Sequence, residues 1–171
     1  YAYQYNAANQ RVRATLADGS FWLYEYDAMG QVNSGKKYWS DWTPVAGQHF
    51  EYAHDDIGNR TRTKAGGDEN GANLRVADYT PNLLNQYGSR TVPRKVDVMG
   101  AAWANGTVTV TSSPASQNEA AAVYRKGEYF RKQLEYADGT TSLWETVTAQ
   151  TDDGQTANVS GGVFVAGNPE T

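Results

Sequence analysis

The 171-residue chain has no cysteine, which excludes a disulfide framework and any thiolate metal site. Its two histidines, His49 and His54, lie with Asp55 and Asp56 in no recognised ligand spacing, so no metal is expected. Basic residues are outnumbered, 15 to 19, for a net charge of −4. Neither sign forms a run, and a nucleic-acid partner, which needs a clustered basic face, is not expected. No apolar stretch reaches membrane-spanning length and no signal peptide is evident, so no membrane span is expected. The chain lacks a Gly-x-Ser-x-Gly elbow, a phosphate loop and a dinucleotide fingerprint. Asp68-Glu69-Asn70-Gly71 and Asp152-Asp153-Gly154 lack the ordered ligand series of a calcium loop. No cofactor is expected.

What the chain has is glycine and aromatic residues: 17 glycines, 12 tyrosines and five tryptophans, a composition that favours strands and turns. The rings are patterned. Tyr24-Glu25-Tyr26-Asp27-Ala28-Met29-Gly30 is answered by Tyr52-Ala53-His54-Asp55-Asp56-Ile57-Gly58 and preceded by Tyr3-Gln4-Tyr5-Asn6-Ala7-Ala8-Asn9. Two rings flank one residue, an Asp or Asn follows, and a Gly or Asn comes three positions later. Rings at i and i+2 share one face of a strand. The Asp or Asn bonds backbone groups two residues on, and the Gly or Asn accepts positive φ. Each unit therefore reads as strand, tight turn, strand, and its recurrence signals a repeat architecture. Because the chain opens inside a unit, it is expected to be a piece of something longer.

Residues 1–64 are expected to form a meander. Gln10 to Ala17 and Ser20 to Tyr26 flank the tip Asp18-Gly19; Gln31 to Trp39 and Gln48 to His54 flank a longer tip, Ser40 to Gly47; Arg60 to Lys64 starts another strand. Residues 65–73 read as a loop, Leu74 to Tyr79 as a strand, Pro81 to Tyr87 as a single helical turn, and Thr91 to Val98 as extended. Beyond Trp103 the repeat is lost. Thr107 to Thr111, Tyr124 to Tyr136, Leu143 to Ala149 and Val163 to Val165 alternate as strands, with turns at Asp138-Gly139 and Asp152 to Gly154. The fold class is all-β: an antiparallel hairpin sheet over residues 1–100 and a small antiparallel sandwich or curled sheet over 101–171.

The three units resemble the YD repeats of the RHS family, bacterial proteins related in their repeats to the shells of insecticidal toxin complexes and to teneurins. Tyr52-Ala53-His54-Asp55-Asp56-Ile57-Gly58-Asn59-Arg60 matches best, with His54 where the family usually has Tyr. Leu84 to Pro93 and Tyr124 to Phe130 are similar to segments found beside such repeats. The resemblance implies a hairpin sheet that winds into a hollow shell in longer members, and a bacterial, extracellular or cell-surface location. The self-cleaving core of some relatives has no counterpart here.

Rings beside polar residues grip sugar rings by stacking, which makes the long tip, with Trp39, Trp42, Tyr38 and the nearby Trp22, the best candidate for carbohydrate binding. The same rings also fit simple packing on the sheet face. A glycoside hydrolase needs two carboxyl groups flanking a cleft; Glu25, Asp41, Glu51 and Asp55 are the candidates. Asp27 and Asp55 already have a turn-forming task, and Glu25 and Glu51, each between two rings, are expected on the opposite strand face. The leading expectation is a non-enzymatic scaffold or shell-wall fragment with possible carbohydrate or cell-surface binding. The alternatives are a glycoside hydrolase, or an assembly protein whose open sheet edges pair with flanking repeats or another chain.

Overall fold

The computed structural model describes all residues, 1–171, and contains fourteen strands and no helix. Two compact units divide at Arg90/Thr91, ahead of residue 100, because the strand Lys95–Ala101 pairs with Tyr129–Glu135 of the second unit.

The first unit is one antiparallel meander of eight strands in sequence order. They are β1 (Ala2–Tyr5), β2 (Arg11–Thr15), β3 (Phe21–Tyr26), β4 (Val32–Tyr38), β5 (Pro44–His54), β6 (Arg60–Gly66), β7 (Leu74–Pro81) and β8 (Tyr87–Arg90). All seven connections share one backbone geometry. Its first N–H donates to the fifth carbonyl and its fourth N–H to the first, as in Asp27 N to Gln31 O (2.9 Å) and Gly30 N to Asp27 O (3.0 Å). The turns begin at Asn6, Leu16, Asp27, Trp39, Asp55, Asp68 and Asn82. The fourth residue of each is left-handed: Asn9, Gly19, Gly30, Trp42, Gly58, Gly71 and Asn85, with φ between 59° and 92°.

Side chains reinforce the geometry. In the turns at Asn6, Asp27, Asp55 and Asn82, Oδ1 of the first residue accepts the N–H of the third and fifth; for Asp27 these are Met29 (2.9 Å) and Gln31 (2.8 Å). Asp68 does the same with Asn70 and Ala72. In the turns starting at Leu16 and Trp39 the aspartate stands third, and Asp18 and Asp41 accept the N–H and hydroxyl of Ser20 and Thr43. The turns at one sheet end also touch in register. A Cβ on Gly58 would lie 2.9 Å from Gln31 Nε2, and one on Gly30 3.2 Å from Gln10 Nε2, while Asn59 donates to Asn85 Oδ1. The fifth side chain of one turn thus lies over the fourth residue of the next.

The turn at Asn82 is a fourth copy of the repeat turn, so Pro81 to Tyr87 contains no helical turn; the same Asx bonds close a hairpin there. The expected long tip Ser40 to Gly47 is likewise a five-residue turn, Trp39 to Thr43. The extra residues join β5, where the register slips between Lys36 opposite His49 and Tyr38 opposite Pro44. Val45, Ala46 and Gly47 are buried, so this apolar stretch gains more from burial than from standing out as a loop. The polar stretch 65–73 shortens to the turn Asp68 to Ala72 between β6 and β7.

The second unit has two three-stranded sheets, β11 (Tyr124–Lys126)–β12 (Tyr129–Glu135)–β9 (Lys95–Ala101) and β10 (Thr107–Ser113)–β13 (Leu143–Asp152)–β14 (Thr156–Val165). Phe130, Leu134 and Tyr136 meet Val110, Val147 and Val165 in one apolar core, so the unit is a small sandwich. β12 alternates, with Phe130, Lys132 and Leu134 inward, and the Lys132 ammonium is met by the carbonyls of Asn118, Glu119 and Ala121. The Arg94 guanidinium clamps Ala137, Gly139, Thr141 and Ala166 carbonyls. Asp138-Gly139 therefore lies in the crossover between the sheets and makes no hairpin. The expected strand Val163 to Val165 is the end of the much longer β14.

Removing one Asx acceptor tests the turn. Asp27→Ala is expected to lower unfolding stability by about 1 kcal/mol in urea titrations, the usual net worth of such bonds. Asp56→Ala, one position past the equivalent aspartate of the next repeat, is expected to change it by less than about 0.5 kcal/mol.

Candidate functional site

Pairing register fixes which side chains share a face of the repeat sheet. Trp22 and Tyr24 of β3 lie on one face with Phe50 of β5, gathered over Gly35 of β4, which stands between Tyr24 and Phe50 in the register. Their rings are near parallel, Trp22–Tyr24 at 6.2 Å and Trp22–Phe50 at 6.1 Å. A Cβ on Gly35 would lie 3.5 Å from the Tyr24 ring, so glycine there lets the rings settle onto the sheet. Tyr52 continues this face, with the Arg60 guanidinium 5.3 Å over its ring.

The opposite face carries the charges. Glu25 accepts the Ser34 hydroxyl at 2.8 Å, and Glu51 bridges Lys36 (2.7 Å) and Lys64 (3.1 Å). The Lys36 bond, with that of Lys64, holds the Glu51 carboxyl below its ordinary range. A carboxylate fixed in its ionised form serves poorly as the proton donor of glycoside hydrolysis. Asp41 and Asp55 stand at opposite ends of β5, roughly 30 Å apart at about 3.3 Å per residue, and each is committed to its own turn. The four candidate carboxylates are not gathered around one cleft.

On this charged face, at the end bearing the Trp39 turn, a second ring cluster forms around Phe21. Tyr38, opposite Phe21 in the register, stacks on it at 5.7 Å, and Trp42 meets it edge-on at 4.7 Å. The Arg13 guanidinium lies 3.9 Å over the Phe21 ring and 5.3 Å from Trp42. His49 closes the cluster 5.2 Å from Tyr38, with Nε2 3.0 Å from the Lys37 carbonyl. Burial lowers the His49 pKa, so the imidazole is neutral at pH 7 and Nε2–H donates. Its ring occupies the space over Gly71, where a Cβ would stand 2.8 Å away.

The four predicted ring residues are thus divided. Tyr38 and Trp42 share the Phe21 cluster. Trp22 lies on the other sheet face, because it follows Phe21 on one strand. Trp39 opens the turn, donating to Thr43 O and accepting from Trp42 N. Phe21, Arg13 and His49 were not foreseen as members; the legible signal was the Phe21–Tyr38 pairing across the hairpin.

Trp42 departs from the turn's rule. Six of the seven left-handed fourth positions are Gly or Asn, and the seventh is this tryptophan, at φ 67° and 58 % exposed. A bulky residue in that region costs about 1–2 kcal/mol. No group of His, Asp and Glu side chains is arranged to hold a metal.

Two expectations follow. Trp42→Gly and Trp42→Ala lose the same ring contacts, but only Ala retains the strained φ, so the Gly variant is expected to be the more stable by about 1 kcal/mol in thermal or urea unfolding. Glu51→Gln is expected to destabilise by about 0.5 kcal/mol at pH 7, a value reduced for the exposure of the ion pairs. The folded-state pKa is depressed, so the contribution is complete above the ordinary value of 4.5 and is lost as pH falls through the folded value. The gap between the two proteins should stay constant above that range and close below it in acid titrations of stability.

Residues 2–39, which span β1 to β4 and one residue beyond, match the family model described as RHS Repeat. No curated protein matches the chain. Residues 2–39 thus carry an RHS repeat, and the turns that follow at Asp55, Asp68 and Asn82 keep the same backbone geometry.

Proposed function

We propose that the chain forms a wall segment of a larger RHS-repeat scaffold, extracellular or at the cell surface, and that it binds carbohydrate at the Trp42 turn. The scaffold half rests on the turn ladder: each hairpin rests on the next, and β1 and β8 end the sheet with open edges that flanking repeats or another chain can extend. The binding half is carried by a single observation, the exposed Trp42 at a position where the fold otherwise uses Gly or Asn. Strain kept at an exposed ring points to a task for that ring. Tyr38 and Phe21 brace it, and Arg13, Asp41 and Thr43 supply polar groups at its rim, the arrangement that grips a sugar by stacking and hydrogen bonding.

A glycan-array screen tests this reading, run after circular dichroism has established that every variant is folded. The wild type and Trp22→Ala, whose change lies on the other sheet face, are expected to bind the same glycans. Trp42→Ala is expected to lose at least tenfold in affinity. Equal binding by wild type and Trp42→Ala, or binding by neither, overturns the assignment to this turn.

A further inference from the structure

The sandwich of the second unit is open along one side. Inward positions of β12 and β13 are buried, with Phe130 at 5 %, Leu134 at 0 % and Val147 at 7 % exposure. Along β14 the cover ends partway: Val165 is buried and Val163 half-buried, whereas Val159 is 74 % exposed, and Ala157 and Gly161 are exposed as well. Between the sheets lies a groove of about 560 Å³ lined by Val96, Val98, Phe130, Ala149, Val159 and Val163. Two edge strands border it, β9 and β14. They are unequally protected. β9 carries Lys95 and Asp97, which pair with Glu135 and Arg131, whereas the ten residues of β14 contain no charged side chain. Natural sheets guard their edges with charge, proline or bulges. β14 has none of these, and all ten of its residues stay in register with β13.

We infer that β14 is a strand-addition interface whose occupant is β14 of a second copy of this chain, paired antiparallel about a two-fold axis. The groove asks for an extended, uncharged strand with small apolar residues at every second position, and β14 itself has that character: Ala157, Val159, Gly161, Val163 and Val165 alternate with neutral Thr156, Asn158, Ser160, Gly162 and Phe164. A two-fold pairing satisfies both unguarded edges at once, as an isologous contact must. It joins two three-stranded sheets into one of six and sets the Val159 of each copy at the groove mouth of the other. Gly161 and Gly162, at which an added Cβ meets nothing within 4 Å, leave the middle of the strand clear for close backbone approach. One strand per copy is less than the roughly 800 Å² per partner of a standard interface, so the dimer is concentration-dependent. This surface is separate from the proposed glycan site, and either reading can fail alone.

Sedimentation velocity on the full chain across a micromolar concentration series is expected to show monomer passing to dimer. Val159→Lys puts a charge on an exposed side chain, where folding is undisturbed, and is expected to remain monomeric throughout with an unchanged dichroism spectrum. Gln4→Pro, on the β1 edge, is expected to dimerise like the wild type. Because the chain has no cysteine, single cysteines at positions 159 to 162 report the pairing directly: at least one is expected to form a disulfide-linked dimer on mild oxidation, well above an Asp153→Cys control. A wild type that stays monomeric at every concentration overturns the inference. So does a dimer that survives Val159→Lys, one lost only in Gln4→Pro, or a cysteine scan no better than the control.

Discussion

The repeat sheet depends on one backbone constraint, a five-residue turn whose fourth residue is left-handed. An Asp or Asn at the first or third position makes that turn locally favourable, because its carboxylate or amide accepts N–H groups that the hairpin would otherwise leave to water. A Gly or Asn at the fourth position removes the Cβ penalty. With both in place each hairpin carries its own register, so the sheet does not rely on a thick core. The few buried residues of this unit, among them Ala14, Phe21, Val45, Ala46 and Ala77, are consistent with stability distributed over local turns and cross-strand pairs.

The same constraint couples neighbours. Gln10, Gln31 and Asn59 lie against the fourth residues of the following turns, so the amide end of a side chain from the preceding repeat crowds each of those positions. Tyr26 donates its hydroxyl to the Arg11 carbonyl and Tyr87 accepts the Arg60 N–H, carrying the same coupling onto the ring face. Against this regularity the Trp39 turn is the exception that carries information, because at the other sheet end a tryptophan takes the left-handed place and holds its ring on Phe21. In the second unit the departure is of another kind. The sandwich leaves the inward residues of β14 uncovered from Ala157 to Gly161, on an edge strand that carries no charge.

Much of this was legible in the residues. The ring–x–ring–Asp pattern gave the hairpins, the strand-face assignment of Glu25 and Glu51, and the all-β class, because period-two alternation and Asx chemistry are local properties. The fourth turn, at Asn82, was hidden because Tyr79-Thr80-Pro81 lacks the second ring, and the apolar pair Leu83-Leu84 imitates a helical turn. The length of β14 was hidden because Gly161-Gly162 interrupts the alternation, and only pairing with β13 extends the strand through it.

The sequence by itself determined where this chain reverses and which side chains share a strand face, since both follow from contacts within a few residues. Tertiary structure alone decided what those faces meet. The segment Pro44 to Gly47 reads as part of an open tip, and burial of Val45 and Ala46 turned it into strand. Trp22 and Trp42 read as neighbours, and register placed them on opposite faces. Val163 to Val165 reads as a short strand, and pairing with β13 extended it back to Thr156 at a sheet edge. Burial and adjacency of this sort are set by residues far apart in the chain, and no local pattern encodes them.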